Sequence, residues 1–69
     1  MEKEMIKKYF LGKKVCIFFS NENGNFVSNG DIKEVSSEHL IIDDKFKGLM
    51  TIPLCEISNI ELRPLGKGW

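Results

Sequence analysis

The chain has 69 residues, and its ten basic and ten acidic side chains cancel to a net charge of zero. This length allows one domain with a small core, since about 60% of the unfolded chain's surface becomes buried; self-association, a disulfide or a metal would add stability. Zero net charge argues against a dedicated nonspecific DNA-binding protein, and no run of about 18 apolar residues that could span a membrane occurs.

The N-terminal segment is predicted to form a short helix over residues 2–11. Its apolar residues recur at spacings of three and four, and Gly12 supplies a left-handed stop. Residues 1–14 contain five lysines and two glutamates, whereas residues 15–62 contain three lysines and eight acids. The helix is therefore either a solvated amphipathic element or a basic rim that meets phosphates or an acidic partner.

Residues 13–20 predict a first strand that is apolar on both faces. We expect the helix to cover one face and a partner subunit to cover part of the other. Residues 21–25 are rich in asparagine and glycine and form a turn that returns the chain antiparallel. The second strand follows over residues 26–35, and Gly30 in its interior predicts a bend that needs either positive φ or a close backbone approach.

Three further strands are predicted over residues 38–43, 49–52 and 57–62. Gly48 closes the turn after the first of them, and Pro53–Glu56 forms a one-turn link before the last, because proline cannot donate to a strand ladder. The expected fold is mostly β: an N-terminal α-helix followed by a five-stranded antiparallel SH3-like small barrel. It is a single domain over residues 1–64 with a tail at 65–69.

The order of these elements resembles the Sm-like superfamily, which includes Sm and LSm proteins and the bacterial RNA chaperone Hfq. The likeness extends from Met5 to Pro64. It rests on the helix, a glycine before the first strand, an Asn-Gly turn and two motifs, GDIKEV and EISNIEL. It implies an oligomeric, non-catalytic protein that binds or associates with RNA.

The chain departs from this family where the family contacts nucleotides. Uridine-binding members have an aspartate and an asparagine near the third strand, where this chain has Ser36 and, near the asparagine, His39 and Leu40. In the turn between the fourth and fifth strands, Sm proteins have arginine and glycine, and Hfq has lysine and histidine. Here Pro53–Glu56 offers no phosphate-binding side chain, so this turn is expected to close the barrel without the family's RNA chemistry.

Candidate RNA contacts are therefore sought among lysines outside that turn. An aromatic residue between two lysines in a predicted turn is typical of a single-strand contact, although it can also anchor a loop. The candidates are Lys7, Lys8, Lys45, Phe46 and Lys47. The other aromatic residues, apart from Trp69 in the tail, are expected to lie mostly in the core. The fourth and fifth strands are expected to have unpaired edges that join neighbouring subunits. The apolar residues assigned to this interface are Met50, Ile52, Ile57, Ile60 and Leu62.

Catalysis, metals and cofactors are not expected. Adjacent acids at residues 43–44 are interpreted as solvated turn formers, and His39 as a surface residue rather than a pH switch. No cysteine or histidine spacing fits zinc, and Cys16 and Cys55 are expected to be reduced in a cytoplasmic protein.

Three functions remain open from the sequence. The first is an oligomeric Sm-like protein that binds or associates with single-stranded RNA. The second is an adaptor or inhibitor module that binds another protein through the acidic sheet or the tail. The third is an oligomer that holds a small nucleotide between subunits.

Overall fold

The computed structural model describes residues 2–63, so the predicted tail at 65–69 lies outside the described residues. One short helix precedes five antiparallel strands of a single sheet, which confirms the mostly β class and is consistent with a small barrel-like fold. The elements are α1 (Lys3–Tyr9), β1 (Lys14–Asn21), β2 (Gly24–Val35), β3 (His39–Asp44), β4 (Gly48–Pro53), a 3₁₀ turn (Leu54–Glu56) and β5 (Ile57–Leu62).

The sheet has the strand order β4-β3-β2-β1-β5. The long strand β2 pairs with β1 through its first part and with β3 through its second part. Gly30 lies where the two pairings overlap, opposite both Val15 and Asp44. Its φ is not positive, but a side chain there would overlap the backbone carbonyl of Asp43. The sequence predicted that Gly30 needs either a positive φ or a close backbone approach, and the structure shows the close approach.

Helix α1 is shorter than predicted: it ends at Tyr9, whereas the sequence predicted an end at residue 11. The backbone amides of Phe10 and Leu11 both donate to the Ile6 carbonyl, at 2.9 and 3.1 Å, so this carbonyl is satisfied where the helix ends. Gly12, with φ of 79°, then redirects the chain into β1. Ile6 is fully buried and Phe10 packs against the core, so the helix is fixed by these two side chains.

The core is one cluster of apolar side chains from the helix, the 3₁₀ turn and all five strands. In β1, Val15, Ile17 and Phe19 belong to this cluster, while Cys16 is buried on the other face and Phe18 is half-buried. Both faces of β1 were predicted to be covered. On the face opposite the core cluster, Cys16 is covered and Phe18 is only partly covered. Burial raises the pKa of the Cys16 thiol.

The outer strands of the sheet are β4 and β5, and within residues 2–63 each pairs with one neighbouring strand only. The 3₁₀ turn connects them across the open side of the sheet. Both strands therefore present one unpaired edge, as the sequence predicted. Within the same residues, no helix combines the length and apolar character needed to cross a membrane.

Candidate nucleic-acid interface

The loop between β3 and β4 consists of Lys45, Phe46 and Lys47, and we refer to it as the KFK loop. The Phe46 side chain is 80% exposed, the most exposed large apolar residue among those described. The Lys45 ammonium lies 5.4 Å from the centre of the Phe46 ring, within the range of a cation–π contact. Lys47 is exposed beside it. The loop thus presents an aromatic face and two cations to solvent.

The Asp44 carboxylate holds the base of the KFK loop. One carboxylate oxygen, Oδ1, accepts hydrogen bonds from the backbone amides of Phe46 at 2.7 Å and Lys47 at 2.9 Å. The other, Oδ2, accepts a 2.6 Å hydrogen bond from the hydroxyl of Ser28, which lies fully buried on β2. The Lys45 amide donates to the Asn29 carbonyl at 2.7 Å. The loop backbone is therefore bonded to two adjacent residues of β2, directly or through Asp44.

Asp44 itself is only 5% exposed, although it carries a charge. Burial raises the pKa of its carboxyl group, but hydrogen bonds from Ser28 and from the amides of Phe46, Lys47 and Asn29 outweigh burial. The pKa consequently lies below the ordinary aspartate value, and the group is ionised at neutral pH. These four donors compensate for the removal of the carboxylate from water.

The expectation of two solvated turn acids is correct for Asp43, which is exposed, and wrong for Asp44, which is buried. Alternation along β3 places Asp44 on the core side, opposite Gly30 of β2. The missing side chain at Gly30 leaves the backbones of β2 and β3 close together there. One feature of the sequence could have indicated this buried polar site. Ser28 is polar, yet it lies on the same face of β2 as the buried residues Gly30 and Ile32.

The other two predicted RNA-contacting residues, Lys7 and Lys8, are exposed on α1. The Lys8 ammonium lies 5.3 Å from the ring centre of Tyr9, which is half exposed. The sequence predicted that most aromatic residues other than Phe46 lie in the core, and Tyr9 does not. The structure thus places a second pair of a cation and an exposed aromatic ring on the helix.

The turn between β4 and β5 has a different character. Leu54 is 5% exposed and belongs to the core, and its amide donates to the Glu38 carbonyl at 2.9 Å. Glu56 accepts a long 3.5 Å hydrogen bond from the Asn21 side chain. A shallow groove beside this turn is lined by Ser37, Glu38, Pro53, Leu54 and Cys55, which include one acid and no base. The turn therefore packs into the fold and offers an anionic ligand no opposite charge.

The residues assigned to a subunit interface fall into two groups. Ile52, Ile57 and Ile60 lie in the core of their own chain, at 1%, 8% and 6% exposure. At an edge-to-edge contact these three can take part only through their backbone. Met50 is partly buried against the core, whereas Leu62, at the end of β5, is half exposed and free to meet a partner's side chain.

Comparisons with protein-family models, with curated proteins and with solved structures found no match to this chain. No group of three or more potential metal-ligating side chains occurs within residues 2–63. The candidate interface consequently rests on the geometry of the KFK loop and of the strand edges.

Proposed function

We propose that this protein is an oligomeric, non-catalytic Sm-like protein that binds single-stranded RNA through its KFK loop. The observation that carries the proposal is the 80% exposure of Phe46 beside Lys45 and Lys47. Exposing a phenyl ring to water is unfavourable in the free protein, and the ring contributes little to the core. A base stacked on its face would remove that cost.

The chemistry of the loop fits an unpaired nucleotide better than a duplex. A base in single-stranded RNA can lie flat on an aromatic ring, which the stacked bases of a duplex cannot do. Lys47 and Lys45 then lie beside the ring, where they can reach the flanking phosphates. Because the chain has no net charge, we expect the few lysine contacts to give a modest salt dependence.

The test is a fluorescence titration of short labelled uridine-rich and adenine-rich RNAs at two salt concentrations. Phe46→Ala should weaken binding by about 1–3 kcal/mol, as expected for one lost stacking contact. Leu49→Ala is the matched control, since Leu49 is also an exposed apolar residue, at 71%, but lies outside the loop. Lys47→Ala should lower the salt slope by about one, whereas Lys33→Ala, at an exposed lysine of β2, should leave it unchanged.

Failure of the wild-type protein to bind either RNA would remove the RNA proposal and favour a protein-binding adaptor. Equal losses from Phe46→Ala and Leu49→Ala would also contradict a contact centred on the loop.

Self-association is the second part of the proposal, and it is supported by the two open edges of the sheet, β4 and β5. Pairing β5 of one copy with β4 of the next would satisfy both edges. Leu62→Glu should dissociate the oligomer, because Leu62 is 50% exposed at the end of β5. Val27→Glu is the matched control, since Val27 is 46% exposed but lies on β2, inside the sheet.

Light scattering at micromolar concentration provides the measurement. A wild-type protein that scatters as a 7.9 kDa monomer would contradict the assembly proposal. Dissociation by Val27→Glu to the same extent as by Leu62→Glu would instead place the contact away from the edge.

A further inference from the structure

The most unusual polar feature outside the exposed loop is the buried pair formed by Ser28 and Asp44. Both residues face the core side of the sheet, and they are 0% and 5% exposed. A buried carboxylate next to a buried hydroxyl is unfavourable unless both are hydrogen-bonded. The 2.6 Å bond between them supplies one partner, and the amides of the KFK loop supply two more.

This pair joins the core of the protein to the most exposed aromatic ring that the structure describes. Asp44 bonds the amides of Phe46 and Lys47, and Ser28 fixes Asp44 to β2, a strand paired on both sides. The loop backbone is thereby held before any ligand arrives. A contact held in its bound conformation loses less conformational entropy on binding than a mobile one.

We propose that Ser28 and Asp44 are positioning residues for RNA binding, which hold the KFK loop so that Phe46 presents its ring to a base. This inference rests on the proposed RNA-binding function. Neither side chain is predicted to touch the RNA, because both are buried. Their effect on affinity must therefore pass through the loop, and above all through Phe46.

Asp44→Ala removes the acceptor for both loop amides, and Asp43→Ala is its matched control. The control deletes the same charge from the adjacent, exposed position, so the comparison cancels the general effect of losing a negative charge near RNA. Asp44→Ala should bind the uridine-rich RNA about fivefold more weakly than Asp43→Ala, as expected when a held loop is released. Asp44→Asn should recover most of that affinity, because its side-chain carbonyl can accept the same two amide bonds.

A double variant separates positioning from a general loss of structure. If Asp44 acts through Phe46, Asp44→Ala combined with Phe46→Ala should bind no more weakly than Phe46→Ala alone. Amide hydrogen exchange followed by NMR should show faster exchange at Phe46, Lys47 and Asn29, the three amides that donate to Asp44, in Asp44→Ala, with the other amides of the sheet unchanged. If Asp44→Ala does not fold, Ser28→Ala replaces it, since this change removes the bond from the Ser28 hydroxyl to Asp44 and leaves the loop amides their acceptor.

Several outcomes would overturn the inference. If Phe46→Ala weakens binding while Asp44→Ala matches Asp43→Ala, the loop contacts RNA without needing the buried pair. Additive losses in the double variant, or a Ser28→Ala protein with wild-type affinity, would also contradict positioning. If wild type binds no RNA, or if Phe46→Ala changes nothing, the proposed function itself fails, and this result is distinct from the others.

Discussion

The KFK loop and the turn between β4 and β5 each connect two strands that are consecutive in sequence, but they bury different kinds of side chain. The KFK loop buries a carboxylate at its base and exposes the Phe46 ring, whereas the second turn buries Leu54 and exposes Cys55. The KFK loop is fixed by amide hydrogen bonds to the Asp44 carboxylate and to the Asn29 carbonyl, and the second turn by an amide hydrogen bond to the Glu38 carbonyl.

This difference leads us to expect that the second turn contributes mainly to stability and the KFK loop mainly to binding. An apolar residue packed in a turn contributes to the core, while an exposed ring next to cations contributes little to folding and is available to a ligand. In this chain the turn between β4 and β5 packs into the core through Leu54. We therefore expect substitutions in the second turn to change stability and substitutions in the KFK loop to change RNA affinity.

The largest effect is expected from Leu54→Ala in the second turn. Leu54 is 5% exposed and belongs to the core cluster, so removing its side chain leaves a cavity. The free energy of unfolding should fall by about 2–5 kcal/mol in urea titrations. RNA affinity, measured where the variant is still folded, should match that of wild type. A folded Leu54→Ala protein with weakened RNA binding would break the division between the two turns.

Gly30→Val tests the backbone approach that places Asp44 beside Ser28. The new side chain would overlap the Asp43 carbonyl, and backbone atoms cannot yield as a flexible side chain can. We expect the free energy of unfolding to drop by about 1–3 kcal/mol, and by more if the strands separate. Lys33→Ala, at an exposed position of the same strand, is the control. Unchanged thermal unfolding of Gly30→Val would show that β2 and β3 are not this close.

Asp44 links stability to pH. Its folded-state pKa lies below the ordinary value, so its contribution is complete above the unfolded-state pKa and is lost as the pH falls through the folded-state pKa. Asp44→Asn should cost about 1–2 kcal/mol at neutral pH, because neutral hydrogen bonds replace charge-assisted ones. The gap between wild type and variant should close in acid. Urea unfolding at neutral and acidic pH provides the measurement, and Asp43→Asn is the control at an exposed position. If the difference in the free energy of unfolding between wild type and Asp44→Asn does not change with pH, the proposed titration of Asp44 is contradicted.

The sequence predicted most of the fold because its signals are local. Alternating apolar residues bounded by Asn-Gly and by Pro53 defined the strands, and β5 runs from Ile57 to Leu62 as predicted. The core location of Ile60 and the burial of Asp44 could not be predicted in the same way. Alternation shows that two residues share a face, but not whether that face meets the chain's own core or a partner, and an aspartate before a turn is ordinarily solvated.

The smallest effect on stability is expected from Phe46→Ala. Since the ring is 80% exposed, its removal should change the free energy of unfolding by no more than about 0.5 kcal/mol. Thermal unfolding of the purified variant gives the comparison with wild type. A loss similar to that of Leu54→Ala would mean that Phe46 anchors the loop, which is the alternative that the sequence left open.

The most direct test of the central claim is an NMR titration of the isotope-labelled protein with uridine-rich RNA, in which the backbone amides of both turns are followed together. We predict that the amides of Lys45, Phe46 and Lys47 shift progressively with RNA concentration. The amides of the second turn, residues 54–56, should remain in place. Shifts concentrated at residues 54–56, with the KFK loop unaffected, would contradict the account and assign the nucleotide site to the turn that we interpret as a closing element.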